Sequence, residues 1–515
     1  MKPIRLISGF LTVGFWTLAS RVLGFVREIL ILAYIGPGPV MDAFVAAFRL
    51  PNMFRRFFAE GAFNAAFVPM FSKKYEGGED ATGFARDALN GLALVVLALT
   101  ALAMLFMPAF VWATAEGFSG DARFDLTVGY GRILFPYIVF MSLAALFSGV
   151  LNATGHFAAA AAAPVLLNIF VVLAMVMANL LGQQVIDWLL WSIPLAGVAQ
   201  LALVWRAAGR AGIRLRPGRP RWSPDMRAML VIALPAALSS GVLQINLLVG
   251  QLVASGTENA LSWLYAADRL YQLPLGVVGI AIGIVLLPSL SRSLKAGDHS
   301  AAQSALSRAG EAALALTLPA AVALVVIPVP LVMVLFERGQ TGPSDTQAIA
   351  LAVMIYGAGL PAFVLQKVLQ PLYFAREDTR TPLRYAVVSM VVNAAVAIGL
   401  AFYIGWLASA VATTLAAWVQ VALLAAGRRP MGETARFDAR FGQKLWRIIA
   451  AAGLSGGVMW AAMQLLAPLL AMPTWRYGAL AVLIAVGIAG YFALAQALGA
   501  LSLGDLRASL RRRRG

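Results

Sequence analysis

Residues Thr17–Leu30 read TLASRVLGFVREIL, a stretch that lies in a long apolar run yet carries Arg21, Arg27 and Glu28. On a helix at about 100° per residue, Thr17, Ser20, Arg21, Gly24, Arg27 and Glu28 fall within an arc of about 120°. Leu18, Ala19, Val22, Leu23, Phe25, Val26, Ile29 and Leu30 fill the opposite side. A charge at the centre of a bilayer costs at least about 2.5–3.5 kcal/mol, so such residues usually pair internally or line a wet cavity. Three accounts stand open for this helix: an Arg21–Glu28 pair two turns apart, arginines snorkelling to headgroups, or a face turned to water.

The rest of the chain places this helix in a membrane. Of 515 residues, 61% are hydrophobic and 12% charged, with mean hydropathy +0.82. A soluble domain carries about 25% charged residues. Continuous apolar runs of about 20 residues recur, each long enough to cross the hydrocarbon core as a helix, and they do not alternate as barrel strands do. Fourteen spans are expected, near 11–34, 40–71, 86–113, 126–153, 160–182, 185–206, 226–254, 260–291, 309–336, 346–374, 381–404, 407–426, 443–468 and 475–498. The expected fold is therefore an all-α polytopic membrane protein with 14 transmembrane helices. The first run extends past a signal h-region and has no small-residue cleavage site, so no cleaved leader is expected. With no cysteine there are no disulfides and no thiolate metal ligands. His156 and His299 fall in separate short loops, too far apart in sequence for a histidine metal motif. No cofactor is expected.

Lys and Arg gather in cytoplasmic loops. Even-numbered loops are basic: Lys73 and Lys74; seven arginines in RAAGRAGIRLRPGRPRWSPDMR; Arg292 and Lys295; Arg376, Arg380 and Arg384; Arg428 and Arg429. Odd-numbered loops are short and nearly free of base, apart from Arg123 and Arg338. Both termini are thus expected in the cytoplasm, and the tail RASLRRRRG agrees. The net charge of +17 is accounted for by this topology and by attraction to anionic membrane lipids, not by nucleic acid.

Two further spans repeat the pattern of the first. In span 2, Asp42, Arg49, Asn52, Arg56 and Glu60 share a narrow arc; Pro51 can rotate the phase, so Arg55 and Arg56 both remain candidates. In span 8, Ser262, Tyr265, Asp268, Arg269, Gln272, Gly276, Gly279 and Gly283 lie on one face, although Gly279 and Gly283 suit close helix packing equally well. One hydrated, net-positive cavity shared by spans 1, 2 and 8 is the simplest common account.

The chain also repeats itself. AAFRL at 46–50 matches AADRL at 266–270, an offset of 220 (269 − 49). VPMFSK at 68–73 matches LPSLSR at 287–292, and Pro136 and Asn168 are matched by Pro361 and Asn393 at an offset of 225 (361 − 136). Two pseudo-symmetric six-helix lobes plus two C-terminal helices follow: lobe 1–210, basic loop 211–225, lobe 226–427, loop 428–442, and 443–515 as spans 13 and 14 with a basic tail. Repeats in the same orientation are a transporter signature, with substrate bound between the halves.

SRVLGFVRE, DAFVAAFRLPN, RRFFAEGAF, AADRL, GIVLLPSLS and LFERG together resemble the MurJ/MviN lipid II flippases of bacteria, in the MOP exporter superfamily. The resemblance covers nearly the whole chain and keeps motif order. It implies fourteen spans, a cationic central cavity, and a lateral groove lined by the last two spans for a polyprenyl tail. The implied substrate is lipid II, the lipid-linked disaccharide-pentapeptide precursor of peptidoglycan, with the cell-wall synthesis machinery as a further partner. The family's critical arginines match Arg21, Arg27, Arg55 and Arg269, and its acids match Asp42, Glu60 and Asp268. Glu28 stands for a common aspartate, and Gln272 for a glutamate. Some members resemble sodium-coupled transporters; of that pattern Asn393 is kept, but Ala397 sits one turn on and span 7 offers only Gln244, Asn246 and Gln251.

The expected substrate-binding set is thus Arg21, Arg27, Arg55 and Arg269 with Arg49, Arg56 and Asn52. The expected countercharge and gating set is Glu28, Asp42, Glu60, Asp268 and Gln272. Guanidinium forks suit the oxygens of a pyrophosphate better than ammonium does. A potential negative inside favours outward passage of an anionic headgroup. Rival classes are a flippase for another polyprenyl-linked glycan, a small-molecule exporter of the same superfamily, and a membrane glycosyltransferase. The last needs a sizeable loop with clustered acids, and the longest loops here are about twenty residues without DxD or a nucleotide-binding motif.

Overall fold

The computed structural model describes residues 3–55 and 62–501. Among these the regular structure is helical. The chain divides into two units: Met1–Ser262 with the short loop Arg338–Thr341, and Trp263–Glu337 with Gly342–Gly515.

The first unit holds α1 (Pro3–Tyr34), α2 (Pro39–Arg55), α3 (Ala62–Glu76), α4 (Ala81–Leu105), α5 (Met107–Thr114), α6 (Ala122–Leu134), α7 (Tyr137–Ala153), α8 (Phe157–Leu180), α9 (Val185–Arg210) and α10 (Pro224–Ser255). α1 lies on α8, α8 and α7 on α9, α2 on α6 and α7, and α10 on α3, α4 and α5. Stacked rings of Phe63, Phe67, Phe71 and Phe84 join α3 to α4, and Phe54 and Phe135 meet 5.5 Å apart. In a bilayer such contacts stabilise through dispersion and close packing, since lipid tails are as apolar as the rings. The last carbonyls of α1 have no partner within the helix. The loop Arg338–Thr341 meets two of them: Gln340 N donates to Ala33 O at 3.0 Å, and Thr341 Oγ1 to Leu32 O at 2.7 Å.

The second unit holds α11 (Ala260–Lys295) from Trp263 on, α12 (His299–Val326), α13 (Pro328–Phe336), α14 (Pro343–Phe374), α15 (Arg380–Ile404), α16 (Leu407–Gly427), α17 (Ala439–Ala471) and α18 (Arg476–Ala497). α14 packs against α12 and α16, α15 against α16, and α17 against α12 and α18. Small residues bring these helices close. A Cβ at Gly456 of α17 would stand 2.7 Å from Val322 of α12, and one at Gly357 of α14 would stand 2.8 Å from Leu324. An apolar groove follows, lined by Ala321 and Val325 of α12, Pro361 of α14, and Gly453, Gly457 and Trp460 of α17.

Each expected span falls on one helix or on two consecutive ones, and ten helical segments among the described residues are long and apolar enough to cross a membrane. The protein is an all-α, multi-pass membrane protein; fourteen crossings stay a proposal. Spans 3, 4 and 9 are each broken, at Phe106, at Phe135–Pro136 and at Ile327. Proline accounts for the restarts: Pro108 and Pro328 occupy the first turns of α5 and α13, and Pro136 is the N-cap of α7.

Candidate functional site

On α1, the polar arc of the opening stretch meets α8. Arg27 donates through one terminal nitrogen to Asn168 Oδ1 at 2.9 Å and through the other to Glu28 Oε1 at 2.5 Å. The Asn168 amide also donates to Ser20 O at 3.0 Å, one residue before Arg21. A single carboxamide thus ties a backbone carbonyl of α1 to a guanidinium two turns further on. Glu28 is only 3% exposed and Arg27 16%. A pair this sheltered needs hydrogen bonds on both members, and Asn168 supplies one of them. Arg21 is exposed on the same helix. Glu28 therefore pairs with its neighbour Arg27, a partner the helical wheel had not proposed for it.

On α2, Asn52 donates to Phe48 O at 3.0 Å and accepts from Arg55 Nε at 3.3 Å. The first bond fixes the amide's orientation, and the second turns its oxygen to the guanidinium. Arg49 and Arg55 are both half-buried. Arg56 and Glu60 lie outside the described residues.

Asp42, at the start of α2, is fully buried. Its carboxylate accepts from Asn259 N at 2.8 Å, Ser262 N at 2.9 Å and Ser262 Oγ at 2.5 Å. These donors belong to the first turn of α11 and the residue before it, where backbone N–H groups have no helical partner and favour an anion. Arg123 approaches the same carboxylate at 3.5 Å and also binds Asp121 at 2.7 Å. Asp42 is thus occupied by a helix start and by a basic residue that made its loop an exception.

In the second unit, Arg269 lies over the ring of Tyr265, 4.3 Å from its centroid. Gln272 donates to Asp268 on the turn before it. Tyr271 stacks between Tyr356 and Phe363 of α14, with centroids at 4.9 and 5.2 Å, which fixes the rotation of this part of α11. Asn393, buried in α15, points Nδ2 at Thr413 Oγ1 of α16, 3.5 Å away, and Ala397 is buried one turn on. Among the described residues, no group of three or more His, Cys, Asp or Glu is placed to hold a metal.

Sequence reasoning singled out Asn168 only as a marker of the repeat. Its role beside Arg27 joins residues 141 positions apart. The available signal was its chemistry: an amide in the run AAAAAAPVLLNIF sits where hydrocarbon offers no partner.

Residues 31–486 match the model of the family described as lipid II flippase MurJ. A probable lipid II flippase MurJ of Rhizobium tropici is 42% identical, covering 99% of this chain and 98% of its own. One of Rhizobium meliloti (strain 1021) is 45% identical over 99% and 97%. Among solved structures, the fold is similar to a lipid II flippase MurJ in an inward closed conformation, with TM-score 0.79 and 23% identity over 94% of this chain and 98% of that one. It is also similar to an inward-facing multidrug resistance MATE family transporter of the MOP superfamily, with TM-score 0.69 and 15% identity over 81% and 95%.

Proposed function

Because the chain belongs to the lipid II flippase MurJ family, we propose that its arginines of α1, α2 and α11 grip the pyrophosphate of lipid II while the headgroup crosses the membrane. The protein is a transporter, not a catalyst. It works in the bacterial cytoplasmic membrane, with both termini in the cytoplasm. Lipid II enters from the cytoplasmic leaflet, its headgroup occupies the cationic cavity expected from the sequence, and alternating access releases it outward. Arg21, Arg27, Arg55 and Arg269 carry the binding, with Arg49, Arg56 and Asn52 beside them. Glu28, Asp42, Glu60, Asp268 and Gln272 keep the polar faces paired when substrate is absent.

The observation that carries this reading is Arg27, a guanidinium kept deep on α1 by Asn168 and Glu28 and still partly open. Holding it costs desolvation, which an anionic ligand offsets. The apolar groove of α12, α14 and α17 supports a place for the polyprenyl tail. Of the last two spans, it uses only span 13.

The test reconstitutes the full chain in proteoliposomes with fluorescent lipid II and follows loss of the label to an outside quencher. Arg27→Ala and Arg269→Ala should abolish flipping, while Arg86→Ala, exposed on α4, should not. Arg27→Ala flipping at the wild-type rate would end the proposal.

A further inference from the structure

The segment after α9 reads IRLRPG over residues 213–218, and it is not a slack linker. Ile213 and Leu215 are 6% and 1% exposed and belong to the core of the first unit. Alternation along an extended chain therefore sends Arg214 and Arg216 to the opposite side, where both are exposed. Three residues after Leu215, Gly218 N donates to Oδ1 of the buried Asn90 of α4 at 2.9 Å. The segment is thus fastened at three points, and its two guanidinium groups cannot drift far from α9.

A pocket lies between this segment and the last turns of α9. Its rim carries Arg206, Arg214 and Arg216, and its floor is Gly209, Leu215 and the ring of Trp205. Trp205 is stacked on Phe147 of α7, with centroids 6.1 Å apart. Among the described residues, no carboxylate lines the pocket. Three like charges held at one mouth repel one another, and the chain has fixed two of them in place with apolar anchors. That arrangement is stable when an anion sits among them.

We propose that this pocket binds the phosphate headgroup of an anionic phospholipid from the cytoplasmic leaflet. Position and floor decide for a lipid over a free anion. The pocket lies at the end of a membrane-crossing helix, on the side that the basic-loop bias assigns to the cytoplasm. A tryptophan at that level marks the headgroup zone, and basic pockets there suit anionic lipid heads. The apolar floor accepts the glycerol and upper acyl carbons that follow a lipid phosphate, for which inorganic phosphate has no use. This site is separate from the arginines of α1, α2 and α11 and stands whether or not they bind lipid II.

Native mass spectrometry of the full chain in detergent tests the proposal, with phosphatidylglycerol, phosphatidylcholine or inorganic phosphate added in turn. The wild type should retain phosphatidylglycerol in preference to phosphatidylcholine. The triple variant Arg206→Gln/Arg214→Gln/Arg216→Gln should bind it at least about tenfold more weakly. The pair Arg219→Gln/Arg221→Gln, in the same basic loop but outside the pocket, should bind as the wild type does. Equal loss in that pair would mean diffuse attraction to the loop, and an unchanged triple variant would mean no site; either overturns the proposal. A second measurement needs no variant. Phosphatidylglycerol should protect Arg206, Arg214 and Arg216 of the wild type from phenylglyoxal, mapped by peptide mass. Equal protection by inorganic phosphate would overturn the lipid assignment, and no protection by either would overturn the site.

Discussion

Arg27 was visible in the sequence as a charge on a lipid-depth helix, but its chemistry is set by Asn168, which no local pattern connects to it. A helical wheel reports only neighbours on one helix, so it offered Arg21 and Glu28 as a pair and missed the partner from α8. Asn168→Ala removes the hydrogen bonds that the amide makes to Ser20 O and to one terminal nitrogen of Arg27, at a cost of about 1–3 kcal/mol. Lipid II flipping should fall about tenfold or more while the protein stays folded, read in proteoliposomes beside a melting curve. Arg27→Lys keeps the charge but replaces the planar fork that now spans Asn168 and Glu28 with a single ammonium, so a similar loss is expected there. Asp121 gives a stability test outside the membrane. The Arg123 guanidinium beside it holds its carboxyl below the usual range. A depressed carboxylate contributes stability that is fully present above its unfolded value and is lost as pH falls through its folded one. Below about pH 4 the melting temperature of the wild type should therefore drop toward that of Asp121→Asn, and the gap between them should be widest near neutrality.

Element positions were largely legible, because a run of about 20 apolar residues matches the length that hydrocarbon demands of a crossing helix. Breaks within spans were not. Spans 3, 4 and 9 are apolar on both sides of the interruption, so hydropathy runs through it, while Pro108, Pro136 and Pro328 restart the helix. The glycines of α17 show how one element can carry two kinds of position. Gly456 faces Val322, where an added Cβ would lie 2.7 Å from a methyl group, while Gly453 and Gly457 open onto the groove with nothing within 4 Å. Gly456→Leu should force α12 and α17 apart and lower stability by about 1–3 kcal/mol, seen as an earlier melt. Gly453→Leu/Gly457→Leu should leave the melt unchanged, fill the groove and slow flipping of lipid II several-fold. A short-tailed analogue, with little to place there, should be affected less.

For the whole molecule, the repeat and the packing divide the chain differently. The repeat sets the boundary of the proposed lobes in the loop at 211–225, whereas packing puts α10 with α1–α9 because it lies on α3, α4 and α5. Repeats record how a sequence is built, and packing records which helices touch; only the first is written along the chain. Transport of an anion is also a property of the whole. Outward movement of about two negative charges gains about 4–5 kcal/mol per 100 mV if they cross the full potential, inside negative. Flipping in proteoliposomes should quicken when such a potential is imposed and slow when it is collapsed; indifference to it would exclude an electrical contribution. The fastened segment after α9 has one more consequence, for limited digestion. Trypsin cuts after arginine but not before proline, and Arg216 and Arg219 are each followed by proline. Arg214 precedes the buried Leu215, which the protease would have to pull from the core. Of the four arginines between residues 214 and 221, the bond after Arg221 is then the one left open, and brief digestion should nick the chain there and not after the other three.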